Sequence, residues 1–197
     1  PNCILIRGNH DKWFTDWLET TIHPAGWGQG ASKTAVSYIN NLDMPYRSIF
    51  DEDFSYNQIL EDMYKYFPVK HKVFLMSAIN YYIDSKNRIF VHGGFDRFES
   101  IENQPEDEFY WNRNLWSQAL SAGNTRLKTV EPFNKIFIGH TTTMFQKGKT
   151  NPIQAGGVWN LDTGAGSSGK VTIMNVDTEE YWQSDMVAEL YGKPFYR

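Results

Sequence analysis

A chain of 197 residues is long enough to bury one sizeable core and short for two, so residues 1–197 are expected to form a single domain. A net charge of −4 supplies no cationic field for a nucleic-acid backbone, and 41% hydrophobic against 21% charged residues is an ordinary globular balance, so nucleic acid is set aside as a partner. Cys3, the only cysteine, rules out an internal disulfide or a thiolate cage and fits a reducing cytoplasm, while the lack of any apolar run near ~18 residues and of a signal-peptide layout sets aside a membrane.

In chain order, Cys3-Ile-Leu-Ile reads as a strand buried on both faces. Trp13, Phe14, Trp17 and Leu18 then recur at the spacing of a short amphipathic helix, and the glycine-rich residues 24–33 read as a loop. Over 55–67, Ile59, Leu60, Met63 and Phe67 share one helical face. Arg88-Ile-Phe-Val is a second buried-looking run, and a helix is predicted over 107–121 with Trp111, Leu115 and Ala119 on one stripe. Lys135-Ile-Phe-Ile is a third run. Residues 170–185 alternate apolar and polar around Asp177-Thr178, as a β-hairpin does.

Gly164 to Lys170 fits the spacing of a phosphate-cradling loop. Such a loop must pass into a helix whose first amides face the phosphates, with Ser or Thr after the lysine. Here Val171 follows Lys170 and, with Ile173 and Val176, belongs to a strand-like run. The stretch therefore reads as a glycine-rich turn between strands, and a nucleotide site there is rejected.

The three apolar runs share one grammar: each ends in a histidine with glycine close by, at Gly8-Asn9-His10, His92-Gly93 and Gly139-His140. Ligands of open α/β sheets gather beyond the carboxyl ends of the strands, so the histidines are expected to meet at one edge. Glycine beside each lets the backbone turn there. His23, before Pro24, and His71, between two lysines, lack this context and read as ordinary core or surface residues. A context repeated three times points to a metal site.

These elements, with Asn9 before His10, resemble the calcineurin-like metallophosphoesterases, and within them the serine/threonine protein phosphatase and diadenosine tetraphosphatase branch of bacterial or phage type. "RGNHD" at 7–11 is similar to the family's third motif, and "VHGG" at 91–94 and "IGHT" at 138–141 to its fourth and fifth. "YWNRNLW" at 110–116 resembles the Trp-x-Arg segment between them, and "NLDTGAG" at 160–166 the closing turn near the site. The resemblance implies an α/β fold, a layered sandwich of two mixed β-sheets flanked by helices, here without its N-terminal strands. It implies divalent metal ions, manganese first and iron or zinc as alternatives. Asn9, His92 and His140 would hold one ion, His10 would act as general acid, and Arg113 would grip phosphate oxygens with its fork of donors.

The implied substrates are phosphorylated proteins or peptides, or small phosphoesters. "WGQGASKT" at 27–34 is similar to a segment of compact members that also hydrolyse dinucleoside polyphosphates, which keeps diadenosine tetraphosphate as an alternative. The family's first two motifs, which carry the other metal's ligands, belong upstream of "RGNHD" and are not in this sequence. The chain is thus expected to be the C-terminal portion of the domain with one half-site, slower than a complete enzyme by on the order of hundreds to thousands of fold. A non-catalytic module that binds one metal or a phosphorylated partner is the other alternative.

Overall fold

The computed structural model describes residues 3–20, 67–146 and 148–191, together with Ile22, Pro24, Trp27, Thr34 and Tyr38. The described elements are α1 (Asn9–Thr20), α2 (Val69–Met76), β1 (Tyr81–Ile83), β2 (Arg88–Val91), α3 (Glu106–Trp111), α4 (Asn114–Ala122), β3 (Lys135–Ile138), β4 (Ile153–Ala155), β5 (Val158–Asn160), β6 (Thr172–Met174), β7 (Tyr181–Gln183) and α5 (Val187–Leu190). Short 3-10 turns lie at Ile101–Asn103 and Thr143–Phe145. The chain divides into two compact units, Pro1–Asn9 with Ile79–Arg197, and His10–Ala78.

The first unit is built on a five-stranded mixed sheet of order β1-β2-β3-β5-β4. Its inner pairs, β2–β3 and β3–β5, are parallel, and its outer pairs are antiparallel. Each outer pair is closed by a turn that its residues favour. Asp84 accepts the amides of Lys86 and Arg88 between β1 and β2, while Gly156 and Gly157, at φ 59° and 85°, supply the paired left-handed conformations of a tight hairpin between β4 and β5. Strand alternation then sorts the faces. Ile89, Ile136 and Val158 stand in register on one face and pack with Phe109, Leu115, Trp116 and Ala119 of α3 and α4. Phe90 and Phe137 stand on the other, their rings stacked at 4.9 Å. The central run Ile136-Phe-Ile is buried throughout, as a strand covered on both faces must be.

Cys3-Ile-Leu-Ile departs from its expected strand. It is extended but forms a single parallel bridge, Ile6 to Ile79, with Arg7 N donating to Ile79 O at 2.8 Å and Ile79 N to Leu5 O at 2.9 Å. Between the end of α2 and the start of β1 the opposing chain is extended only around Ile79, too short for a ladder, and Ile4 stays 50% exposed. The single helix predicted over 107–121 is also corrected. It divides into α3 and α4 at Asn112-Arg113, and Trp111 leaves the stripe for a half-exposed position while Leu115 and Ala119 stay buried.

In the second unit α1 follows its periodicity. Phe14, Trp17 and Leu18 are buried against Trp27 and Phe67, with Phe14 edge-on to both rings at 5.4 and 5.2 Å. The helix predicted over 55–67 lies outside the described residues apart from Phe67, as does the loop at 24–33 apart from Pro24 and Trp27.

The hairpin β6–β7 pairs Ile173 with Trp182, as the alternation predicts. Salt bridges join its turn to the first sheet: Asp177 accepts from Lys86 and from Arg88 Nη1 at 2.6 Å, and Lys135 pairs with Glu179. The cations Lys86 and Arg88 hold the Asp177 carboxyl below its usual range, and Lys135 does the same for Glu179. Burial pushes Asp84 upward, but the Arg88 guanidinium and the turn amides outweigh it and leave its carboxyl low as well. A lowered folded-state pKa means the unfolded chain takes up protons first, so this stabilisation is complete above about pH 5 and disappears as pH falls through the depressed values. Amide exchange across residues 172–183 is therefore expected to accelerate below about pH 4 before the five-stranded core responds; equal acceleration in both would remove these pairs as the hairpin's tether.

Candidate metal and phosphate site

β2 delivers His92 at its carboxyl end. Gly93 follows, its amide donating to Phe109 O at 2.7 Å, and a Cβ on it would lie 2.9 Å from the backbone carbonyl of Tyr110. Only glycine lets the strand end meet the end of α3. β3 runs parallel and delivers His140, and Gly139 N donates to His92 O at 2.8 Å, which ties the two strand ends together. The imidazoles of His92 and His140 consequently face each other with ring centroids 5.2 Å apart.

Gly139 itself does not need to be glycine, because a Cβ there would find nothing nearer than 3.7 Å. The unusual backbone is instead that of His140, at φ 60°. A left-handed conformation costs a side-chain-bearing residue roughly 1–2 kcal/mol and persists where its surroundings over-determine it, often at functional sites. The surroundings here are specific. Trp111 lies edge-on to the His140 ring at 5.5 Å, Thr141 N donates to Gly139 O at 2.6 Å, and the buried Asn160 donates to Thr141 O at 2.7 Å.

Asn9, the first residue of α1, is buried, and its Oδ1 lies 3.0 Å from His92 Nε2. With that oxygen as acceptor, His92 donates from Nε2. The same pair suits a shared cation, since donors at ~2.0–2.2 Å from one ion and at right angles around it stand about 3 Å apart. Among the described residues no group of three His, Cys, Asp or Glu side chains gathers as a metal cluster. The donor set brought together is two imidazoles and one amide oxygen, a chemistry that fits a divalent transition metal as part of its coordination shell.

Arg113 reaches this turn because the helix breaks. Asn112 adopts an extended backbone, φ −60° and ψ 123°, and its side chain caps the next helix, with Oδ1 accepting Leu115 N at 2.9 Å and Nδ2 donating to Glu108 Oε2 at 2.5 Å. Arg113, exposed at the start of α4, then donates from Nη1 to Thr141 Oγ1 at 3.1 Å and to His140 O at 3.4 Å. Its Nε and Nη2 meet no protein acceptor among the described residues, which leaves donors for a phosphate.

His10 opens the second unit, where its ring lies edge-on to Trp13 at 5.2 Å. The glycine-rich stretch at 164–170 spends its amides on itself: Gly169 N donates to Gly164 O at 2.8 Å and Lys170 N to Thr163 O at 3.1 Å. It passes toward β6 and not into a helix. The sequence reading had no role for Trp111 as a neighbour of His140, for Thr141 as the acceptor of Arg113, or for Asn160. The available signal for Asn160 was a polar amide closing an otherwise apolar strand, Val158-Trp-Asn.

No family model matches this chain, and no curated protein matches it. Among solved structures, a crystal structure of "a putative diadenosine tetraphosphatase" superposes on 99% of this chain and 69% of its own, with a TM-score of 0.51 at 10% identity. A likeness at that identity shows the fold alone: a mixed α/β arrangement in which the five-stranded sheet and a second, two-stranded antiparallel sheet are accompanied by helices. No helix among the described residues is long and apolar enough to cross a membrane.

Proposed function

We propose that the chain works in a metal-dependent phosphoesterase, with Asn9, His92 and His140 as ligands of one divalent ion, manganese before iron or zinc. The observation that carries this reading is the convergence of the His92 and His140 rings, 5.2 Å apart, with Asn9 Oδ1 3.0 Å from His92 Nε2. When bound, such an ion lowers the pKa of a coordinated water and neutralises phosphoryl oxygens. The protein's own groups do the remainder. Arg113, anchored by Thr141, holds phosphate oxygens with its remaining N–H groups. His10 supplies a proton to the departing alkoxide. With Cys3 as its one thiol, the protein would work in a reducing cytoplasm.

Phosphomonoesters, foremost phosphoserine and phosphothreonine in proteins, are the proposed substrates. A dinucleoside polyphosphate is the second reading, favoured by the name of the structural neighbour. Manganese-dependent phosphate release from a phosphoserine peptide and hydrolysis of diadenosine tetraphosphate, measured side by side, separate the two. Faster turnover of the peptide is expected. A strong preference for the dinucleotide reverses the choice, and turnover of either that survives chelation and loss of both imidazoles removes the metal reading.

A further inference from the structure

We infer that Asn160 is a positioning residue for this ion: its buried side chain locks the left-handed turn at His140 and thereby sets the metal affinity of the cluster. The inference rests on the metal reading above.

Asn160 closes β5 opposite Ile138 and is fully buried. A primary amide in that position is costly unless both of its halves are satisfied. Both are, and by backbone: Nδ2 donates to Thr141 O at 2.7 Å, and Oδ1 accepts Asp162 N at 3.0 Å. Asp162 extends the brace, its carbonyl accepting Thr143 N at 2.8 Å and its Oδ1 accepting Gly164 N at 3.0 Å. The residues just after His140 are thus gripped twice, once from the last residue of β5 and once from the loop that follows it.

That grip falls where the chain resists its conformation. His140 at φ 60° has no glycine's freedom, and relaxing to negative φ would swing its imidazole away from His92. Trp111 packs edge-on against the ring itself. The carbonyl bonded by Asn160 lies in the peptide that joins Thr141 to Thr142, so this bond pins the chain one peptide beyond His140 and holds the exit from the turn on which the ring's direction depends. Outer-shell partners of this kind orient ligands, and their loss typically lowers metal affinity 10–100-fold.

The test is a calorimetric Mn²⁺ titration of the wild-type chain, Asn160→Asp, Asn160→Ser, His140→Ala and a control, Gln104→Ala. Gln104 is a comparably buried amide that bonds backbone carbonyls of the 96–100 loop. Asn160→Asp keeps the shape and loses the donor to Thr141 O. Its affinity is expected to fall roughly 10–100-fold, with faster exchange of the Thr141 amide in the metal-free chain, while Gln104→Ala stays within about twofold of wild type even if its melting temperature falls as far. Wild-type affinity in the Asn160 variants, or an equal loss in the control, overturns the inference and leaves the metal reading standing. Binding no tighter in the wild type than in His140→Ala removes both. Should neither Asn160 variant fold, the wild-type carboxamide resonance of Asn160 decides: it is expected to shift when zinc is added, and a resonance that stands still overturns the inference.

Discussion

Replacing His140 by alanine is expected to lower Mn²⁺ affinity by more than the roughly 100-fold upper range of outer-shell changes, and phosphoesterase turnover with it. A ligand contributes its bond directly, and two imidazoles with one amide oxygen leave no spare donor among the residues brought together. His140→Gly is expected to lose the ion equally while unfolding less readily than His140→Ala by about 1 kcal/mol, because glycine accepts φ 60° without the clash that alanine retains. Denaturant titration of the metal-free variants measures the second quantity and calorimetry the first. Affinity that survives in both variants removes His140 from the ligand set. Equal stability of the glycine and alanine forms shows the turn to be unstrained.

The contrast between these two variants shows where sequence reading reached and where it stopped. The runs Arg88-Ile-Phe-Val and Lys135-Ile-Phe-Ile were legible as buried strands because both faces of a parallel sheet demand apolar residues, and β2 and β3 occupy that position. Their histidines were legible as neighbours because parallel strands in register deliver their carboxyl ends to one place. Backbone conformation was not legible. The pattern assigned both the turn and the close approach to glycines: the close approach holds at Gly93, pressed against the end of α3, whereas at the Gly139-His140 end the left-handed turn is made by the histidine itself. Cys3-Ile-Leu-Ile misled for a different reason: apolar composition fixes what a segment prefers to bury, and a ladder also needs an extended partner, which is present only around Ile79. The split of the 107–121 helix turned on one side chain. Asn112 competes with the helical backbone by capping α4, and helical periodicity carries no trace of that competition.

That split underlies the second large effect. Arg113→Ala is expected to lower kcat/KM about 10²–10³-fold, on the order of 3–4 kcal/mol of transition-state stabilisation, the range found when one preorganised donor to a developing charge is removed. Stability should change by less than about 0.5 kcal/mol, since the side chain is exposed and its protein bonds are the two from Nη1. Arg113→Lys separates charge from geometry. A lysine keeps the positive charge but presents a point donor, so it is expected to recover under a tenth of the lost rate if the remaining fork holds phosphate in two-point contact. Mn²⁺ affinity should stay within about threefold of wild type in both variants, because Arg113 meets only the backbone of His140 and not its ring. Stopped-time assays at saturating manganese, with orthophosphate as competitive inhibitor, read the loss directly: the inhibition constant should rise with the fall in kcat/KM. An Arg113→Ala variant of unchanged rate and unchanged phosphate inhibition would return Arg113 to the role its contacts within the protein describe, a surface residue bracing the 140–141 turn.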